Sequence, residues 1–314
     1  MNLSMTGSLA DRFKSGSQKA GNVTEAWGAE NFYCPNCSSP KLDWLKPGTK
    51  ASDYKCPSCG FWYQLKSKKS PIGRSIRDGA YAAMMEAIRE DRAPSYFFLH
   101  YEIRSSRRES AQTSSPEFQM EPPDVRCNGS QGEGTIWLVR NLLLVPAFAF
   151  PPSAIIKCPP LSSTARRAGW VGCNFDLSRV PAEARIAVVR TIASPRRRSG
   201  VAPDSDLKDE YGDRRDACPT LIVPPAEVRE KFRRVKPLKE ISVKERGWTL
   251  DVLNGVRSLG KQEFTNGDAY TLAEHLEQLH PDNRHVRDKI RQQLQVLRDA
   301  KLLIHVNSGL WRLP

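Results

Sequence analysis

The sequence predicts a mixed α/β (α+β) domain with a zinc ribbon set into it, followed by a small winged-helix domain. Three observations predict this. Two Cys-x-x-Cys pairs, Cys34-Pro-Asn-Cys37 and Cys56-Pro-Ser-Cys59, have the spacing of metal knuckles. Short apolar runs at 96–103 and 135–145 have the composition of central strands. From residue 246 onward, three stretches of helical apolar periodicity lead into two short strands around Asn307-Ser308-Gly309.

Taken in order, residues 8–31 read as amphipathic helix, with Leu9, Phe13, Ala20 and Trp27 inward and Ser17 capping a second helix from Gln18. Strand character flanks the second cysteine pair at 51–55 and 61–66. Residues 74–91 read as one helix, because Ile76, Ala80, Met84 and Ile88 recur every four residues. The runs at 96–103 and 135–145 follow as strands, and 184–191 reads as the last strand of the domain. Between them, 104–134 is rich in Ser, Arg, Pro, Glu and Gly and reads as a disordered insertion. A second such stretch, 195–219, contains Pro195-Arg-Arg-Arg198. In the C-terminal part, Trp248, Val252, Val256 and Leu259 share a face. Thr265 caps a helix carrying Leu272, Leu276 and Leu279, and Asn283 caps one with Val286, Ile290, Leu294 and Leu297 inward. The expected division is 1–194 for the first domain, with the ribbon at 34–59, then 195–235 for insertion and linker, and 236–314 for the winged helix. The apolar patterns of the two domains read as separate cores.

Lys and Arg number 48 against 35 Asp and Glu, a net charge of +13. That charge calls for a polyanionic partner. Nucleic acid is the commonest and an anionic membrane surface the alternative. The longest apolar run, 142–150, is interrupted by Pro146 and stopped by Pro151, too short to span a bilayer. With no apolar leader at the N-terminus, the expectation is a cytoplasmic protein with no membrane partner. In a reducing compartment paired cysteines point to metal before disulfide. Four thiolates in two knuckles complete a closed tetrahedron, hence a structural Zn²⁺ site rather than a catalytic one. A redox Cys-x-x-Cys is the other reading. Cys127, Cys158, Cys173 and Cys218 are scattered without evident partners.

The second knuckle sits at the tip of an expected hairpin. Strand alternation puts Gln64 and Lys66 on one face, and pairing across a turn near Ser58 brings Asp53 beside Gln64 and diagonal to Lys66. Asp53, ten residues, then Gln64-x-Lys66 is a permitted form of the PD-(D/E)xK nuclease signature. Phosphodiester hydrolysis suits this set. Mg²⁺ takes hard oxygen ligands, here the Asp53 carboxylate, the Gln64 side-chain oxygen and the Leu65 backbone carbonyl. Lys66 orients the attacking water and faces the developing charge. On the motif alone, an Asp on a strand and a lysine-rich strand end also read as solvated surface.

Nucleic-acid readers are expected in two places. The third C-terminal helix region shows Arg284, Arg287, Arg291, Gln292 and Gln295 outside its apolar stripe, the residue types that read guanine and adenine in a major groove. A solvated helix face reads the same way. In the first domain, Ser163-Thr-Ala-Arg166-Arg167-Ala-Gly-Trp170 combines phosphate-holding arginines with a planar side chain able to stack or wedge. The alternative places Trp170 in the core.

These segments together resemble the DpnI-like methyl-directed restriction endonucleases. The resemblance is carried by Ser17-Gln-Lys-Ala20, Tyr33-Cys-Pro-Asn-Cys37, Leu65-Lys-Ser-Lys-Lys69, Asp78-Gly-Ala-Tyr-Ala82, Thr164-Ala-Arg-Arg-Ala-Gly-Trp170, Asp176-Leu-Ser178, Arg246-Gly-Trp-Thr249 and the run from Lys289 to Asp299. It implies a PD-(D/E)xK core, Mg²⁺-dependent cleavage of double-stranded DNA at GATC-like sites methylated on adenine, and reading of the mark by both domains. Site residues extend to Trp248 at the start of the winged helix, and the expected active species is a monomer. The family pattern has glutamate where this chain has Gln64, which leaves open a methyl-DNA-binding protein with a decayed active site. A zinc-ribbon transcription factor is the more distant alternative.

Overall fold

A computed structural model describes residues 1–45, 52–105, 135–191 and 220–314. Most of the expected insertion at 104–134 and all of 195–219 lie outside the described residues, as do Cys127, Cys218 and the Pro195-Arg-Arg-Arg198 run.

The chain opens with β1 (Ser4–Met5) and α1 (Gly16–Asn31), then β2 (Asp43–Trp44), β3 (Tyr54–Lys55), β4 (Trp62–Lys68), β5 (Ser75–Ala80) and α2 (Tyr81–Arg89). The long strands β6 (Ser95–Ser105) and β7 (Thr135–Val145) follow, then β8 (Ile155–Pro160), β9 (Val171–Asp176), β10 (Ile186–Thr191), β11 (Thr220–Ile222) and α3 (Pro225–Val235). The C-terminal part holds α4 (Val243–Ser258), β12 (Glu263–Thr265), α5 (Asn266–Tyr270), α6 (Ala273–Leu279), α7 (Val286–Asp299), β13 (Ile304–Asn307) and β14 (Leu310–Arg312).

Among the described residues, one large mixed sheet runs β11-β10-β7-β6-β4-β3-β2, with β1 added on β7. Its centre is the parallel pair β4 and β6, joined through α2, and their register sets Gln64 beside Tyr96 and Lys66 beside Phe98. Alternation then divides the sheet into two faces. One face carries Tyr63 and Phe97 and is covered by Phe32, whose ring stacks on Phe97 at 4.2 Å, and by α1, whose Thr24 hydroxyl meets the Ser67 hydroxyl at 3.0 Å. The other face carries Tyr96 and Phe98, which meet Phe175 of β9 at ring distances of 4.7 and 5.6 Å. A second sheet, β5-β9-β8, therefore lies on the side to which Gln64 and Lys66 point.

Four expectations change in the first domain and at its junction. α1 begins at Gly16 behind Ser15, so Ser17 lies inside the helix instead of capping it. The helix expected over 74–91 is α2 only in its second half. Residues Ser75–Ala80 form β5, with Ile76 opposite Phe175. A period of four places Ile76 on a helical stripe, but the decisive partner is a hundred residues away, and Gly79 is a weak helix interior. The strand at 186–191 is not the last of its domain, since β11 pairs with it and α3 buries Val228, Phe232 and Val235. Part of the expected linker thus folds onto the first domain. Finally, the two apolar patterns do not make separate cores; the buried residues form one continuous cluster.

Polar contacts cross the junction between the two parts. The Arg246 guanidinium, on a residue only 6% exposed, reaches Asp91 at 2.7 Å and the carbonyls of Lys239 and Ile241. Ser153 donates to Asp251 at 2.6 Å, and the other oxygen of that carboxylate meets His280 at 2.9 Å. A side-chain carbon added at Gly247 would sit 3.2 Å from Pro152, so α4 rides close on the first domain.

The C-terminal part is a helix-turn-helix unit backed by the sheet β12-β14-β13. Thr265 and Asp268 form a reciprocal capping box on α5, as the Thr265 expectation required. The second helix is split into α5 and α6. Asn283 accepts the His285 N–H at 2.8 Å just before α7 instead of capping the helix itself. Val286, Ile290, Leu294 and Leu297 are all buried. Among the described residues, no helix is long and apolar enough to cross a membrane.

Candidate active site and metal centre

Cys34, Cys37, Cys56 and Cys59 place their four sulfurs within 4.8 Å of one another. The Cys34–Cys59 and Cys37–Cys56 separations are 3.5 and 3.6 Å. A disulfide requires about 2 Å. Tetrahedral zinc with Zn–S bonds of roughly 2.3 Å requires sulfurs about 3.8 Å apart. The cluster is therefore compatible with a zinc ribbon. Local donors suit thiolates: the Ser39 N–H points at Cys37 Sγ and the Cys59 N–H at Cys56 Sγ, each at 3.5 Å. Burial opposes ionisation of Cys56, but the N–H groups of Cys59 and Ser58 outweigh it and bring this thiol down to about 7. From behind, Arg229 of α3 donates to the carbonyls of Cys34 (3.0 Å), Cys37 (2.8 Å) and Ser39 (3.2 Å).

The ribbon is joined to β4 directly, since the Tyr63 hydroxyl lies 3.3 Å from Cys34 Sγ. The next residue is Gln64. The β3–β4 register, Lys55 opposite Trp62 and Tyr54 opposite Tyr63, continues by one step to set Asp53 opposite Gln64. At that step the strands part. Asp53 N–H still donates to the Tyr63 carbonyl at 2.9 Å, but the Asp53 carbonyl turns away to accept from Leu45 at 2.8 Å. The vacated position opposite Leu65 is taken by a side chain: Leu65 N–H donates to Asp53 Oδ2 at 2.7 Å. In a strand the N–H and C=O of one residue point the same way. The Leu65 carbonyl is thus directed toward the side where Asp53 sits. Burial raises the Asp53 carboxyl, and the Leu65 N–H and the nearby Lys66 charge lower it; burial prevails.

The structure thus brings Asp53, Gln64 and Lys66 together, with Asp53 beside Gln64. Two carboxylates nearby were not anticipated. Asp78 of β5 forms an ion pair with Lys66 at 2.5 Å. Glu25 of α1 is raised to about 6, first by burial and then by repulsion from Asp53. Asp78 lies within one of the segments that carry the family resemblance, so that motif held the only sequence signal for it. Glu25 had none.

The residues expected to read DNA fall in two places. Arg166 and Arg167 are exposed at the tip between β8 and β9, where Gly169 adopts φ +75° and closes the turn. The Arg167 guanidinium lies 4.5 Å over the Trp170 ring. Trp170 is half-buried and packs close over Gly172. In the helix-turn-helix unit, Arg284, Arg287, Arg291, Gln292 and Gln295 are exposed on and just before α7, with Gln292 accepting from Lys289 at 2.8 Å. Trp248 differs from these: it is 8% exposed and its ring is stacked on His280 at 3.8 Å, so that face is already occupied.

Comparison with known families covers both parts of the chain. Residues 1–109 and 133–198 match DpnI, the Dam-replacing family, a span that holds the four cysteines, Asp53, Gln64, Lys66, Asp78 and the Arg166–Trp170 tip. Residues 244–313 match DpnI_C, the Dam-replacing HTH domain, a span that runs from α4 to β14. The chain belongs to the DpnI family of methyl-directed restriction endonucleases, nucleases that act on DNA, and carries the family's C-terminal HTH domain.

Proposed function

We propose that this protein is a type II restriction endonuclease with a PD-(D/E)xK core that hydrolyses double-stranded DNA at GATC-like sites methylated on adenine, with Mg²⁺ as cofactor. The observation that carries this is the parting of β3 from β4 at Asp53, which leaves Asp53, Gln64 and Lys66 on one face. The donors there suit a hard cation: Asp53 Oδ1, the Gln64 amide oxygen and the Leu65 carbonyl are all oxygen ligands. When bound, Mg²⁺ offsets charge on the phosphate and acidifies a water. The protein's own part is orientation. Asp53 is held by the Leu65 N–H, Gln64 is held in register by β6, and Lys66 places its ammonium on the same face.

In this proposal the Cys34–Cys37–Cys56–Cys59 zinc is structural and holds the β3–β4 hairpin through Tyr63. The first domain, ending before α4, contacts DNA through Arg166, Arg167 and Trp170, and α7 enters the major groove with Arg284, Arg287, Arg291, Gln292 and Gln295. The N6-methyl group projects into that groove. Favouring one CH₂-sized group by apolar contact is worth only about 0.8 kcal/mol. Reading the same mark with both domains multiplies the discrimination, and a monomer suffices for it.

A second reading, a methyl-DNA-binding protein that has lost cleavage, is favoured by Gln64, which stands where the family pattern has glutamate. One experiment separates the two. Plasmids from adenine-methylating and non-methylating hosts are incubated with the protein across a Mg²⁺ series. Cleavage confined to methylated plasmid is expected. Equal cutting of both plasmids refutes methyl direction, and binding of methylated DNA without cutting at any concentration selects the second reading.

A further inference from the structure

Lys66 does not end in solvent. Its Nζ lies 2.5 Å from Asp78 Oδ1, and the two side chains are 23% and 5% exposed. The partners come from different sheets: Lys66 from β4 in the large one, Asp78 from β5 in the three-stranded one. Register between β5 and β9 breaks between Arg77 and Ala80, the kind of irregularity that re-aims a strand side chain, and Asp78 lies inside the break. The second Asp78 oxygen faces the Cys173 thiol at 3.9 Å, and that thiol also lies 3.6 Å from the Gly79 carbonyl. A carboxylate this buried adds little to stability even when paired, since apolar replacements of buried ion pairs are often as stable. Its place beside Lys66 calls for another account.

We propose that Asp78 is a positioning residue for DNA cleavage: it fixes the Lys66 ammonium, by the ion pair that bridges the two sheets, on the face shared with Asp53 and Gln64. The inference rests on the nuclease reading above. A lysine ends in a four-carbon stem with many rotamers, and its ammonium carries three donors. Committing one donor to Asp78 selects one placement and leaves two for the phosphate and the attacking water. Fixing a reacting group in advance raises turnover without tightening substrate binding. The β5–β9 pairing adds a second link, because β9 leaves the Arg166–Trp170 tip and runs directly past Asp78. The strand that positions Lys66 is thus paired with the strand that follows the proposed reading tip.

The test compares wild type, Asp78→Asn, Asp78→Glu, Lys66→Ala and the Lys66→Ala/Asp78→Asn double variant. Three quantities are measured: single-turnover cleavage of a methylated duplex in Mg²⁺, affinity for that duplex without divalent metal, and the ¹⁵N signal of Lys66 Nζ, recognised by its loss in Lys66→Ala. Asp78→Asn is expected to slow cleavage at least about tenfold with affinity changed less than about twofold, and to shift or broaden the Nζ signal. Asp78→Glu, which keeps the charge, recovers part of the rate, and Asp78→Asn adds nothing in the Lys66→Ala background. Wild-type cleavage by Asp78→Asn, an unchanged Nζ signal, or a full additional loss in the double variant overturns the inference. If Asp78→Asn does not fold, Asp78→Glu decides: its carboxylate is displaced by one methylene, so an unchanged rate refutes positioning and a reduced rate at unchanged affinity supports it. A wild type that cuts no DNA at all sinks the nuclease reading and this inference with it, whereas an active wild type indifferent to Asp78 sinks this inference alone.

Discussion

Tyr63 and Gln64 are neighbours on β4, yet they serve opposite faces of one sheet and opposite kinds of site. Tyr63 points into the layer of Phe97, Tyr54 and Cys34, fully buried, with its hydroxyl against a cysteine sulfur. Four cysteine sulfurs gather there, with the Ser39 N–H behind Cys37 and the Cys59 N–H behind Cys56, and the Cys34 and Cys37 carbonyls are held by Arg229. Such a cluster is closed and suits permanence. Gln64 points to the half-buried face, among unlike groups: an acid, an amide and a lysine already ion-paired. That site depends on charge balance. The difference teaches that one strand can hold rigidity on one side and reactivity on the other, provided each residue's neighbours are set by the pleat.

The comparison breaks most visibly from the closed side. Cys56→Ser is expected to abolish stoichiometric zinc and to lower the melting temperature sharply, because structural zinc contributes on the order of 10 kcal/mol to local folding. Cleavage should fall with it, since the hairpin between Cys56 and Tyr63 also carries Asp53 and Gln64. Full activity at native melting temperature in a zinc-free variant would separate the two faces entirely. On the open side, Lys66→Ala should slow cleavage by about 10²- to 10³-fold while affinity for methylated duplex stays near wild type; the melting temperature should fall too, because the buried Asp78 carboxylate loses its ion-pair partner. A matching loss of binding would show that Lys66 holds DNA and not the transition state. The smallest effect sharpens the contrast further. Gln64→Glu adds the charge the amide lacks and should lower the Mg²⁺ concentration for half-maximal cleavage several-fold. A Mg²⁺ titration that moves the other way would remove Gln64 from the ligand set.

What was legible in the sequence was local. The two Cys-x-x-Cys pairs announce themselves because each knuckle supplies two ligands from one turn. The face of α7 is legible because Val286, Ile290, Leu294 and Leu297 leave no second way to bury the helix. Asp53 beside Gln64 was readable because a hairpin sets its register over a few residues. What failed was decided at a distance. Ile76 looked helical until Phe175 claimed it as a strand partner. Asp78 had no assignable role until the two sheets met, for nothing near it in sequence marks Lys66 as its partner. Trp248 came in with the Arg246–Thr249 segment of the resemblance, and only the fold shows that its ring is stacked on His280. Helix α3 follows a stretch of loop-like composition, and its amphipathic face becomes meaningful only once Phe61 and Phe148 are seen packed against Phe232.

Arg229 has a consequence that belongs to the order of synthesis. It grips the Cys34 carbonyl across 195 residues of chain. At translation rates of about 5–20 residues per second, roughly 10–40 s pass between the emergence of Cys34 and that of Arg229. Cys59 follows Cys34 by only 25 residues, so for most of that interval all four cysteines are outside while the back of the first knuckle is still uncovered. A zinc ion bound in that interval would sit in an open, exchangeable site, which α3 seals later. A nascent chain halted before Arg229 should therefore surrender zinc to a chelator much faster than the finished protein does.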